Sequence, residues 1–555
     1  MPESVEKQVQ DFVVGVDNLG PKVFRIVLWL SAAVVLFFLS FSIITSSPIR
    51  LINIDAIDYA QVAKNFSRGE GLTTKFIRPV SFHFFPTFEK HPEVTNPPLY
   101  SVYLGTILKL IDAPLVMKGE IDRKIILFGS GLFFILSVPL FIWLARRLVS
   151  RNVAYMGLFF YITNIIVLRE SVSALPDMFL AFLFLLFLIA LSYYDGDNMF
   201  KPVIIGVTLG LCYLTRYTYG LFAIPLCGYI FLKARKFKVL HLVLFVLAFL
   251  GVISPWLVRN YNLTGNPFFT LEWFKYKMFI EALPGNLYWR SFIDSVFATK
   301  LNLFFLIRKF GMGLHDYYGQ MLQLLGTFLT PFFIVAFFYT GIRNRQNKLK
   351  WLILLFLVIQ IIVASLFRPG ANGIFPFFPF VILVAVDLFL ELLDRKSINP
   401  FVRLGVVSVF IVINVVPTVQ GFMPKLFSED MYRPPKMYAE DNLQEVAVSV
   451  KPDTVIISDI PWATAWYGNI TSIWLPWGGD DYANITKKVG QIDGCYFSTM
   501  VLRYPQSKEK LWIKFYSYVF RYKKVPSNNK FGWDSHKTFR NGDVFCCFRS
   551  KLKQE

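Results

Sequence analysis

The feature that most limits this chain is a series of apolar runs, most long enough to cross a bilayer, many ending in basic residues. They include Val23–Ile44, Ile125–Leu144, Val153–Leu168, Met178–Tyr193, Leu240–Trp256, Met321–Tyr339, Trp351–Phe367, Ile374–Leu393 and Leu404–Val419. In hydrocarbon every backbone N–H and C=O must be satisfied within the protein, so such runs are helices. The sequence is 55% hydrophobic, more than a soluble domain carries. A net charge of +20 would suit nucleic acid only if gathered on a soluble face. Here the charge sits at ends of apolar runs: Lys22 and Arg25, Arg146 to Arg151, Lys233 to Lys238, and Arg343 to Lys350. That is the pattern of cytoplasmic span ends. The first run exceeds a signal-peptide core and is expected to remain as an anchor.

These runs predict a polytopic α-helical membrane protein with about eleven spans. The expected division is a cytoplasmic segment at 1–22, a transmembrane part at 23–420 and an extracytoplasmic tail at 421–555. The tail is read as a separate small α/β domain. KPDTVIISDI, TSIWLP, GCYFSTMVL and DVFCCFRS read as strands there, and WATAWYG as a helix. A large first extracytoplasmic loop is expected at 45–120. Within it, Ile57, Ala60 and Ala63 at helical spacing predict a short helix over Asp55–Phe66. Leu99–Ile111 is too short to cross and is expected at the interface. Val203–Tyr213 and Tyr219–Leu232 predict a short hairpin with Arg216 at its outer tip.

On this topology Asp55, Asp58, Asp177, Arg169, Arg216, Arg259 and Arg368 all fall at external ends of spans. Charges there can simply reach the headgroups. Several, however, sit in motifs: DAIDYAQVAKNFSRGEGL, NPPLY, SALPDMFLAF, LGLCYLTR, PWLVRNYNLTGNPFF and FRPGANGIFPFFPF. Their order and common side resemble the GT-C class of polyprenyl-phosphate-dependent glycosyltransferases, near the lipid A aminoarabinose transferases and protein O-mannosyltransferases. The resemblance covers roughly residues 20 to 390; the tail lies outside it. Two departures stand out. Thr95-Asn96 occupies the place of a Glu-Lys pair, and Asp55 is followed by Ala56 rather than a second acid.

The resemblance implies a membrane enzyme moving a sugar from a polyprenyl phosphate to an acceptor hydroxyl or amine on a lipid, glycan or protein. It implies a bacterial inner membrane and catalysis outside the cytoplasm. Asp55 becomes the expected base and Asp177 the second catalytic acid. From the residues alone Asp55 can also cap the helix it precedes, and Asp177 the helix after Pro176, as the alternative to those roles. Arg259, beside Pro255 and Trp256, is the first choice for the leaving phosphate, followed by Arg216 and Arg368. Asp58, Tyr59, Tyr100 and Asn260 complete the expected substrate-binding set, and Tyr59 and Tyr100 suit stacking on sugars.

No cofactor or metal is expected. His83, His91 and Glu93 lie close in sequence, but a polar interfacial loop explains them more simply. The partners expected are the lipid-linked donor, the acceptor and the bilayer, with a monomeric chain and no nucleic acid. Cys495 is able to pair with Cys546 or Cys547 in an oxidising compartment. Two rivals remain: a transporter of lipid-linked sugars, which calls for inverted repeats, and a ligase or polymerase using a diphosphate donor.

Overall fold

The computed structural model describes residues 51–111, 120–272, 287–292, 303–324, 329–338, 347–367, 371–394, 400–427, 438–503 and 510–553. The first expected span and Arg368 lie outside these. Among the described residues four helices are long and apolar enough to cross a membrane: Ile121–Leu148, Lys238–Thr264, Leu349–Leu366 and Gly373–Asp394. Shorter apolar helices run over Pro176–Ser192, Phe200–Thr215 and Val402–Val416.

The first loop folds as its periodicity predicts. Helix α1 (Ile54–Ser67) packs against α2 (Pro98–Leu110). Small residues set the spacing: a Cβ on Gly105 would stand 2.7 Å from the Ala63 carbonyl oxygen. Pro98 opens α2, where a missing N–H costs nothing.

Two further helices bring Arg216 and Arg259 to one end of the helix pair. Helix α3 (Phe200–Thr215) lies along α4 (Lys238–Thr264). Gly206 and Gly210, one turn apart, make the approach possible. A Cβ on Gly206 would meet the Phe245 carbonyl oxygen at 2.5 Å, and one on Gly210 the Val252 Cβ at 2.8 Å. Small residues four apart let helix backbones meet closely in a membrane. The same register packs Tyr213 and Leu214 against Ile253 and Trp256, so Arg216 and Arg259 emerge at the same end.

The tail contributes five strands of a six-stranded sheet: β2 (Val455–Ser458), β3 (Thr471–Trp474), β4 (Gly494–Phe497), β5 (Ser535–Thr538) and β6 (Val544–Cys547). Helix α5 (Pro461–Tyr467) links β2 to β3. The sixth strand, β1 (Phe76–Ile77), comes from the first loop and pairs in parallel with β3, Phe76 opposite Ser472 and Ile77 opposite Ile473. The spatial order is β1-β3-β2-β4-β6-β5. Loop and tail thus share one sheet, where the sequence led us to expect a separate domain. The junction is extended by Asp122, which accepts from Trp466 Nε1 at 3.0 Å and Tyr467 Oη at 2.9 Å. Cys495 stands opposite Cys546 in the β4–β6 ladder; both are buried free thiols.

At the carboxyl end of β2, Asp459 accepts from Ser498 N and Oγ at 2.9 and 2.6 Å. Burial pushes its carboxyl up to about 7, against the pull of those bonds. An acid with a raised folded pKa binds more protons folded than unfolded between the two values, so it lowers stability as pH rises through that window. Asp459→Asn, which keeps both contacts, should therefore flatten the fall in thermal midpoint between about pH 4 and pH 7. Thermal unfolding of both proteins across that range checks this.

Candidate functional site

The site begins at the start of α1. Asn53 caps the helix, its Oδ1 accepting from Asp55 N at 2.9 Å. Asp55 is thereby released from the capping role and lies half-buried in the first turn, where the helix dipole favours a carboxylate. One turn on, Asp58 is 1% exposed. Its Oδ2 accepts from Arg78 Nη2 at 2.6 Å and from Asn96 Nδ2 at 2.8 Å. Burial pulls the Arg78 guanidinium down, but Asp58, Glu93 and Asp55 around it outweigh that and raise it. Glu93 is 3% exposed, and its Oε1 accepts from Thr95 N at 2.6 Å and Asn96 N at 2.7 Å. Burial, then the Asp58 charge, pushes its carboxyl upward.

Asn96 joins this cluster to the membrane helices. Its carbonyl accepts from Tyr217 Oη at 3.4 Å, and Tyr217 Oη accepts from Trp256 Nε1 at 3.1 Å. Arg259, one turn further, lies 4.5 Å from the Trp256 ring centroid. Its Nη2 donates to the Leu72 carbonyl at 3.0 Å and its Nη1 to Asn260 Oδ1 at 3.3 Å. A route of direct contacts therefore connects Arg78 and Asp58 to Arg259.

The expected residues do not all meet. Asp177 pairs with Arg216, Nη2 to Oδ1 at 2.6 Å, so the expected acid and the expected phosphate donor are each other's partner. Glu170 lies near them; burial first, then Asp177, pushes its carboxyl up. Tyr59 and Tyr100 form an edge-to-face pair at 5.4 Å. Tyr100 is fully buried, its Oη donating to the Ala174 carbonyl at 2.8 Å. Both rings are packing residues here, not an open stacking surface. Asn260 is 2% exposed and donates to the Phe269 carbonyl at 3.2 Å, so it orients Arg259 from behind. His91 is held by Ser81 Oγ at 2.8 Å and the Thr87 carbonyl at 2.9 Å, while Glu93 turns to its own loop. Sequence reasoning missed Arg78, Tyr217 and the Asp58 contact of Asn96, because none shares a motif with the group it meets.

Residues 95–258 match the model of the dolichyl-phosphate-mannose-protein mannosyltransferase family. No curated protein matches the sequence. Among solved structures, ArnT from Cupriavidus metallidurans bound to undecaprenyl phosphate aligns with a TM-score of 0.54 at 14% identity, over 95% of this chain and 99% of that one. The apo oligosaccharyltransferase of Archaeoglobus fulgidus gives 0.51 at 13% identity, over 81% of this chain and 66% of that one. At these identities the likeness is one of fold.

The geometry separates two neighbouring acids. Asp58→Asn would remove the hydrogen-bonded counter-ion of the buried Arg78, at a cost of about 3–5 kcal/mol. Asp55→Asn removes a half-buried carboxylate and leaves the Asp58–Arg78 pair in place. Thermal unfolding in detergent should show a large drop for the first and a small one for the second.

Proposed function

We propose that this chain, a membrane protein with the GT-C glycosyltransferase fold, transfers a sugar with inversion from a polyprenyl phosphate to an acceptor outside the cytoplasm. Asp55 acts as the base. It takes the proton of the acceptor hydroxyl as that oxygen attacks the anomeric carbon, and the bond to the lipid phosphate breaks on the opposite face. A hydroxyl is a weak nucleophile at neutral pH, and a positioned base contributes about 10²–10⁴-fold. Negative charge gathers on the departing phosphate. We assign that charge to Arg259, near the C-terminal end of α4, a helix long and apolar enough to cross a membrane. A guanidinium offers a phosphate two parallel hydrogen bonds.

The observation that carries this reading is the split in roles along α1. Asn53 caps the helix and Asp58 holds Arg78, while Asp55 lies half-buried in the first turn, where the helix dipole favours a carboxylate. The charge balance also supports it. Asp58 and Asp177 are each matched by an arginine. The neighbour solved with undecaprenyl phosphate supports the donor class. We assign the tail to the extracytoplasmic side with the loop, since both share one sheet. Our reading is further a monomer in a bacterial inner membrane with about eleven spans; the basic turns support a cytoplasmic N-terminus.

Transfer from polyprenyl-phosphate sugars by purified protein tests the reading. Asp55→Asn should lower kcat about 10²–10⁴-fold with the fold intact. Arg259→Ala should cost about 10²–10³-fold. Unimpaired transfer by Asp55→Asn removes the base. A donor screen in which only diphosphate lipids serve would favour the ligase alternative.

A further inference from the structure

Two distant segments build one slot around Arg78. Its guanidinium carbon lies 4.4 Å from the Phe76 ring centroid and 5.4 Å from that of Trp289. Phe76 belongs to β1, and Trp289 to the short helix Leu287–Arg290. Both walls are pinned to the same piece of the tail. On one side Ser472 N donates to the Lys75 carbonyl at 2.8 Å, continuing the β1–β3 ladder. On the other, Arg290 Nε donates to the Leu475 carbonyl at 2.6 Å, and Trp477 N donates to the Arg290 carbonyl at 3.1 Å. Phe76 is itself wedged between Trp462 and Trp474 at 6.1 and 5.7 Å. The tail therefore grips both faces of the slot.

What the slot aims is the edge of the guanidinium. Nη2 reaches Asp58 Oδ2, which Asn96 also holds, and so fixes that carboxylate from two directions. Asp55 and Asp58 are three residues apart on α1 and share one face. Fixing one turn of the helix through Asp58 fixes the azimuth of the turn that carries Asp55. A planar fork between aromatic rings is a role that guanidinium fills and ammonium does not.

We propose that Arg78 is a positioning residue for sugar transfer, and that the tail, by holding both walls of its slot, sets where the catalytic face of α1 stands. The inference rests on the transferase reading. Arg78 touches no reacting atom; its effect passes through Asp58. A displacement of about 1 Å at a reacting group costs on the order of 10²-fold in rate. Such a loss falls on kcat and spares donor binding, which is assigned to Arg259 on the membrane side.

The test uses the full-length protein in detergent or nanodiscs, with a polyprenyl-phosphate sugar as donor. Arg78→Ala should lower kcat about 10²-fold with the donor KM changed less than about threefold. Added guanidinium ion should restore part of the rate saturably, by filling the space between Phe76 and Trp289. Arg290→Met, which frees the second wall from Leu475, should lower kcat in the same sense without touching the first loop. Wild-type kcat in Arg78→Ala, a loss confined to KM, or no recovery with guanidinium overturns the proposal. Where Arg78→Ala does not fold, Arg78→Lys decides. Monodisperse protein with kcat down about tenfold supports the slot, and wild-type kcat refutes it. If the unaltered chain transfers no sugar from any polyprenyl phosphate, the transferase reading itself fails. The slot is then judged by hydrogen exchange: amides of Ile54–Ser67 should lose protection in Arg78→Ala, and unchanged protection overturns it.

Discussion

The arrangement around α1 depends on one buried ion pair. Asp58 and Arg78 sit 2.6 Å apart with side chains 2% and 11% exposed. Removing two charges from water is costly, and the pair is tolerable only where further hydrogen bonds and packing make up the loss. The surroundings supply these. Asn96 gives Asp58 a second donor, Phe76 and Trp289 cover the guanidinium, and Glu93 adds a second nearby acid. Glu93 in turn occupies the Thr95 and Asn96 amides and shapes the turn that delivers Pro97 and Pro98 to α2. One electrostatic requirement therefore determines the course of the first loop from α1 to α2.

The same requirement joins two layers of the molecule. Asn96 is the hinge: its side chain serves Asp58 and its carbonyl receives Tyr217. Tyr217 stands just past the C-terminal end of α3, and Trp256 and Arg259 near the C-terminal end of α4. Those ends are side by side only because Gly206 and Gly210 allow the two helices to touch backbone to backbone. Glycines deep in the apolar part thus bear on where Arg259 stands. The base of the proposed reaction belongs to the loop and tail; the phosphate-binding group belongs to the membrane helices. Both groups take their places from packing, before any substrate arrives.

The sequence was informative wherever the determining interactions are local. The helix at Asp55–Phe66 was legible from its spacing of Ile57, Ala60 and Ala63, and extends one residue further at each end. Four of the tail strands were legible as short apolar runs between turn signals. Strand β1 was not. Two residues carry no periodicity, and Phe76–Ile77 is a strand only because β3 lies beside it. The cap of α1 was open for a related reason: Asp55 fits an N-cap by residue type, and only the structure shows Asn53 capping the helix by accepting from the Asp55 amide. Tyr100 was assigned to substrate because a tyrosine at an interface suits a sugar; its hydroxyl is instead taken by a carbonyl from the next loop. Arg78 carried no signal, since an arginine in a polar loop is unremarkable until its partner is known.

The shared sheet also orders events during folding. Membrane helices gain most of their hydrogen bonds within themselves, and α1 and α2 are near in sequence, so these parts form from local contacts. The slot does not. Its walls await β3, which follows the last apolar run, and β3 is edged by β1 only once the tail has folded back on the first loop. Contacts so far apart in the chain form slowly, because loop closure precedes any gain. Until then Arg78 lacks its aromatic cover, and the Asp58 pair stays in reach of water, where it is weakly held. The charge cluster that makes the site expensive to build is thus completed last, when the tail closes the slot and draws the pair out of solvent. The fold therefore couples arrival of the C-terminal strands to assembly of the charge cluster on α1.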